Sequence, residues 1–152
     1  MTITLTKAEL LQAIRHRSHK EVAGIADVEA RYKVEANLQN DEEVFQAMAM
    51  VSGSLTQIVN RFLLDSYDTD DADNTLEIPS SYVYEFDLTT RASEGKRKAL
   101  ASMMHGYFVD ATLARFYAAV SQAELAEKHN TLATNLAASI ESFLFSKKAP
   151  TL

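Results

Sequence analysis

The sequence predicts a mainly α fold: a helical bundle with a long C-terminal helical hairpin and a small β-strand element. Three observations carry that expectation. Apolar residues recur at three- and four-residue steps through 44–64, 100–120 and 125–144. Capping signals stand in front of several helical runs. Around 82–88, apolar residues alternate with others, as in a half-buried strand.

Thr6 and Glu9 form a capping box, in which a hydroxyl and a carboxylate satisfy two orphan N–H groups of a new helix. A first helix is expected from Lys7, with Leu10, Leu11 and Ile14 on one face. It should end by about Ser18, where the pattern dissolves into Arg15-His16-Arg17-Ser18-His19-Lys20. From Glu21 to Gln39 no period is distinct, so this segment reads as a loop with a helical turn or a short strand near Tyr32 to Val34. Asn40 and Glu43 signal a second start, and Asp41, Glu42 and Glu43 suit the positive end of a helix dipole. The helix they open carries Val44, Met48, Val51, Leu55, Ile58, Val59, Phe62 and Leu63 to about Leu64. Gly53 lies within that stripe, where it costs up to about 1 kcal/mol against alanine and would admit another backbone at close range.

Five aspartates between Asp65 and Asp73, with no basic residue among them, read as a solvated loop. Beyond it Leu76, Ile78, Tyr82, Tyr84, Phe86 and Leu88 alternate, interrupted by Pro79-Ser80-Ser81. A strand over 82–88 follows, paired either with Thr2 to Leu5 or with a neighbouring subunit. The third long helix, from Ala92 or Ser93, carries Leu100, Met103, Met104, Tyr107, Phe108, Ala111 and Ala114. Val109, Leu113, Phe116 and Val120 widen its apolar surface beyond what one packing partner needs, so it is either central or covered by another chain. Ser121 and Glu124 read as a further capping box, opening a helix with Leu125, Leu132, Leu136, Ile140, Phe143 and Leu144. Lys147 and Lys148 suit its negative end, and Pro150 stops it.

A chain of 152 residues, 47% hydrophobic and 24% charged, has the size and usage of one globular domain. Within a single domain over 1–152, residues 1–40 form an N-terminal helix and loop region, and residues 41–152 a helical core with strand 82–88. The absence of cysteine excludes disulfides, thiolate metal sites and a cysteine nucleophile, which fits cytoplasmic synthesis. MTITLTKAELLQAI lacks the regions of a secretory signal, and no run approaches the roughly 18 apolar residues of a membrane span, so no membrane partner is expected. A net charge of −6 disfavours bulk nucleic-acid binding and favours protein partners.

Chemical motifs are sparse. His16 and His19 have a spacing at which imidazoles can share a metal, but no third ligand accompanies them; in a basic helix end they read as solvated. A di-iron bundle needs glutamate three residues before histidine, which neither His105 nor His129 has. Asp68 and Asp70 begin a calcium-loop pattern that Ala72 breaks, with neither the turn glycine nor the closing glutamate in place. Phosphate loops and nucleophile elbows are missing too. The expectation is no enzyme, no cofactor and no metal.

Charge suggests assembly instead. Residues Asp65 to Asp87 carry eight acidic and no basic side chains, while Arg91, Lys96, Arg97 and Lys98 crowd a helix start where the dipole disfavours cations. Either these are solvated faces, or Asp68, Asp70, Asp71 and Asp73 meet Arg91, Lys96, Arg97 and Lys98 of the next copy head to tail. Val109, Leu113 and Phe116 would supply the apolar part of that subunit interface.

Several features together look familiar: the strand over 82–88, the pairs Tyr107-Phe108 and Phe116-Tyr117, the Ser121-Gln-Ala-Glu124 cap and the closing Ala137-Ala-Ser-Ile-Glu-Ser-Phe-Leu-Phe-Ser-Lys-Lys-Ala-Pro150. They resemble the small neck or head-tail connector proteins of tailed phages and prophages, most closely versions carried by phages of gut Bacteroidetes. The resemblance covers 40–150 in element order and 75–150 in residue pattern; the segment 21–39 has no counterpart. It implies a structural virion protein whose copies form a ring at the neck, between portal and tail proteins. DNA would pass through the channel as non-specific cargo, and no catalytic or cofactor residue is carried over. The other reading is a bacterial, non-enzymatic adaptor or regulatory module that binds one protein through the same surface.

Overall fold

The computed structural model describes residues 1–64, 78–87 and 94–147. The fold is mainly helical, with a long C-terminal helix pair and a small antiparallel sheet. The expected Asp65–Asp73 loop, Leu88, the start of the third long helix at Ala92 or Ser93, Lys148 and Pro150 lie outside the described residues.

β1 (Thr2–Thr6) and β2 (Ser81–Glu85) pair antiparallel, with Ile3 opposite Tyr84 and Leu5 opposite Tyr82. Of the two partners the alternation allowed for β2, the N-terminal segment of the same chain is the one found. Period-two alternation puts Ile3, Leu5 and Tyr84 into the core and leaves Thr2 and Thr4 in solvent. Leu63 bridges Phe86 on the far side of β2, and the Tyr82 ring packs at 5.2 Å on Phe108.

α1 (Lys7–Val22) starts at the expected cap, where Thr6 Oγ1 accepts from the Glu9 N–H at 3.4 Å. It runs a full turn past the predicted end. Its inward row is Leu10, Ile14, Ser18 and Val22, and the serine in third place hides the period without ending the helix. Part of the expected loop is helix: α2 (Val28–Val34), with Asp27 at its N-cap, followed by a 3₁₀ turn over Leu38–Asn40. α3 (Asp41–Val59) opens at Asn40, yet the Asn40 side chain does not cap it. Its amide donates to the Tyr32 and Glu35 carbonyls at 2.8 and 2.7 Å, holding down the segment before it. Gly53 is exposed, with nothing within 4 Å of where a Cβ would stand, so the close approach expected there does not occur. The close contact is at Gly106, where a Cβ would lie 3.2 Å from Leu136.

α4 (Glu94–Ala119) is the central element, packed against α1, α3, β1 and α5 (Ala123–Lys147). Gln122 N–H donates to Tyr117 O and Ser121 N–H to Ala118 O, which is a Schellman ending with Ser121 in the left-handed position at φ 64°. Gln122 O accepts the first α5 bond, from Ala126 N–H. Ser121 therefore closes α4 and does not cap α5, and Gln122 holds the N-cap position in place of the expected capping box.

Candidate functional site

Three polar residues interrupt three apolar rows and meet. His129 stands in the inward row of α5, with Ala133, Ile140 and Leu144; Asp110 lies among the buried residues of α4, and Ser18 in the inward row of α1. His129 is 0% exposed, with Nδ1 2.9 Å from Asp110 Oδ1 and Nε2 2.8 Å from both Glu21 oxygens. Arg17 donates to Asp110 at 2.7 Å and Lys128 to Glu21 at 2.9 Å. The Tyr117 ring stacks on His129 at 5.7 Å, and its hydroxyl lies 3.0 Å from Ser18 Oγ and 3.2 Å from Glu21 Oε1. Ser18 Oγ also accepts the Ala36 N–H at 2.9 Å, so the cluster reaches the segment after α2.

The charges are balanced by contact. Burial works against ionisation of Glu21, but hydrogen bonds and positive charge from Lys128 and His129 outweigh it and hold the carboxyl below its ordinary value. Burial drives the Tyr117 hydroxyl well above the usual tyrosine range; the hydrogen bond with Ser18 opposes this and the Glu21 carboxylate adds to it. Both ring nitrogens of His129 face carboxyl groups. An Asp–His pair moves protons only when the second nitrogen faces a hydroxyl or water. Here that nitrogen is closed off by Glu21. The arrangement ties α1 to the α4–α5 hairpin.

Sequence reasoning missed this cluster because its partners come from positions 17–21, 110 and 128–129. The signal was a histidine and an aspartate standing at helical core positions. Of the predicted interface, Val109, Leu113 and Phe116 are each 0% exposed, packed inside their own chain. This corrects the expectation that they face a second subunit: the breadth of the apolar surface reflects the central place of α4. Arg97 donates through Nε to both Glu94 oxygens, at 3.1 and 3.0 Å, so it finds its counter-charge one turn away in its own helix. Lys96 is half-buried and has a partner of its own, and Lys98 is exposed beside Glu94. Asp68, Asp70, Asp71, Asp73 and Arg91 lie outside the described residues. His16 is exposed, while His19 Nδ1 sits 2.6 Å from Glu35 Oε1; among the described residues the two histidines do not converge on a third ligand.

An apolar display lies where the sequence showed no pattern. α2 buries none of its residues, and Val28 (50%), Tyr32 (46%) and, just beyond it, Leu38 (76%) face solvent. The segment is nonetheless fixed in place, by Asn40 on two carbonyls, by Ser18 on Ala36 and by His19 on Glu35. Tyr32 and Leu38 border a groove of about 610 Å³ with Arg15, His16 and His19 on its other wall. A second groove, of about 630 Å³, runs over the alanines of α4 and α5, including Ala111, Ala114, Ala133 and Ala137. No helix among the described residues is long and apolar enough to cross a membrane. No family model matches the chain, and comparison with curated proteins and with solved structures found no significant match.

Proposed function

We propose that the chain is a non-enzymatic structural protein of a tailed-phage virion, assembling with its own copies into a ring at the neck. Portal and tail proteins are its neighbours, and DNA passes through the channel as non-specific cargo. One observation supports the assembly part above the others: the outward apolar platform of Val28, Tyr32 and Leu38, pinned by side-chain-to-backbone bonds. Apolar surface rimmed by polar groups marks an interaction site, and a surface already ordered loses little entropy on binding. The neck assignment draws on the resemblance over 75–150.

Native mass measurement across a concentration series tests the assembly. A particle of several copies is expected, and the triple change Val28→Ser, Tyr32→Ser, Leu38→Ser should abolish the larger particle with helicity unchanged. A monomer at every concentration, even with portal or tail partners present, would sink the proposal. If the triple variant still assembles but charge reversal at Lys96, Arg97 and Lys98 prevents it, the contact belongs to the start of α4. Neighbouring genes for portal, capsid and tail proteins are expected; an operon of metabolic or regulatory genes would favour the adaptor reading.

A further inference from the structure

The small sheet has an unguarded edge. Lys7 N–H donates to Ser80 O at 2.9 Å and Phe86 N–H to Met1 O at 2.7 Å, which makes Ile3–Tyr84 and Leu5–Tyr82 the hydrogen-bonded pairs. The N–H and C=O groups of Thr2 and Thr4, and the N–H of Thr6, therefore point away from β2. Among the described residues the sheet has only two strands, so no third strand meets them. The other edge, on β2, is partly taken: Leu64 N–H donates to Glu85 O and Asp87 N–H to Phe62 O. Open edges are ordinarily blunted by charge, proline or a bulge. Thr-Ile-Thr-Leu-Thr has no charge and no proline, and its register runs one to one.

We propose that this edge pairs with the same strand of a second copy, antiparallel about a twofold axis through Thr4. The result is a four-stranded sheet, β2–β1–β1–β2, shared by two chains. The strand is its own complement: read backwards it keeps threonine at every outward position and an apolar residue at both inward ones. Thr4 then faces Thr4 with both bonds made, and the Thr6 N–H of each copy meets the Thr2 C=O of the other, with Ile3 beside Leu5 on the core side. Threonine pairs across strands are favourable, and no like charges are opposed. β2 is a poorer partner, because its free half offers only Ser81 and Val83, close behind Pro79. The contact is closed by two chains, whereas a ring needs a heterologous surface, so it does not rest on the neck reading.

Because the chain has no cysteine, Thr4→Cys introduces a single thiol. In the proposed pair the two Cα atoms stand about 5.5 Å apart, within disulfide range. Mild oxidation is expected to give a covalent dimer at least tenfold faster than Thr131→Cys, a control on the exposed face of α5. Thr4→Pro removes an outward N–H without touching the β1–β2 ladder; it should raise the dimer dissociation constant tenfold or more with the circular dichroism unchanged. Equal crosslinking of the two cysteine variants overturns the proposal, and so does an unaltered dimer in a folded Thr4→Pro; if that variant misfolds, the cysteine comparison decides alone. A ring without the crosslink sinks this contact only, and the crosslink without a ring sinks only the neck reading.

Discussion

Ser121, at φ 64°, occupies a conformation that costs an L-residue roughly 1–2 kcal/mol and glycine nothing. Ser121→Gly should therefore stabilise the fold by about 1 kcal/mol, read as a higher urea midpoint at unchanged m-value. Gly53→Ala should add a further 0.5–1 kcal/mol or so, since the new methyl meets nothing and the helix gains propensity. The two sites share no partner, so the gains should add in the double variant. His129→Leu is expected to act in the opposite direction. It strands two carboxylates that the ring now serves, and losing one member of a buried ionic group costs about 3–5 kcal/mol. Replacing Asp110, His129 and Glu21 together by apolar residues should cost much less than His129→Leu alone, which denaturant unfolding of both variants can check. None of these residues stood out as a cluster in the sequence, because helical periodicity reports one element at a time.

Among the elements, α1 depends on that cluster most. Glu21, Arg17 and Ser18 all lie on it, while Asp110 and His129 belong to the hairpin. The folded Glu21 carboxyl lies below its ordinary value of 4.5, so its contribution to stability is present above about pH 4.5 and lost as pH falls through the folded value. Hydrogen exchange between pH 6 and 3 should show α1 amides losing protection before those of α4, and Glu21→Gln should flatten that difference. Simultaneous loss in the two helices would mean that the cluster does not set the stability of α1. Legibility followed the same physics. Helices with long apolar rows, α3 through α5, are plain from spacing, and β2 from alternation. Spacing cuts α1 short because Ser18 interrupts its row, and it shows no more than a helical turn or a short strand near Tyr32 to Val34 where α2 lies, because a helix that buries nothing needs no period. The Ser121-to-Glu124 spacing fitted a capping box, but the three-residue connection between two long helices used Ser121 for the turn.

At the scale of the whole molecule, α4 packs against α1, α3, α5 and β1, which buries Val109, Leu113 and Phe116 inside the chain. The surfaces proposed for partners lie at the periphery: the α2 platform and the open edge of β1. These two surfaces face the solvent independently, and they predict separable behaviour. The α2 triple variant should retain the Thr4→Cys crosslink, and Thr4→Pro should retain whatever assembly α2 directs, as mass measurement of each would show.

The pairing of β1 with β2 also sets a schedule for synthesis. Ile3 and Tyr84 are neighbours in the sheet but far apart in the chain, so the first strand made has no partner until more than half of the chain is synthesised. At the roughly 5–20 residues per second of a ribosome, Ile3 and Leu5 wait on the order of 4–16 s for their partners to be synthesised. The self-complementary strand is fully unpaired throughout that interval. On a polysome, where nascent copies crowd one another, the strand that joins finished molecules is also the one most exposed to premature joining.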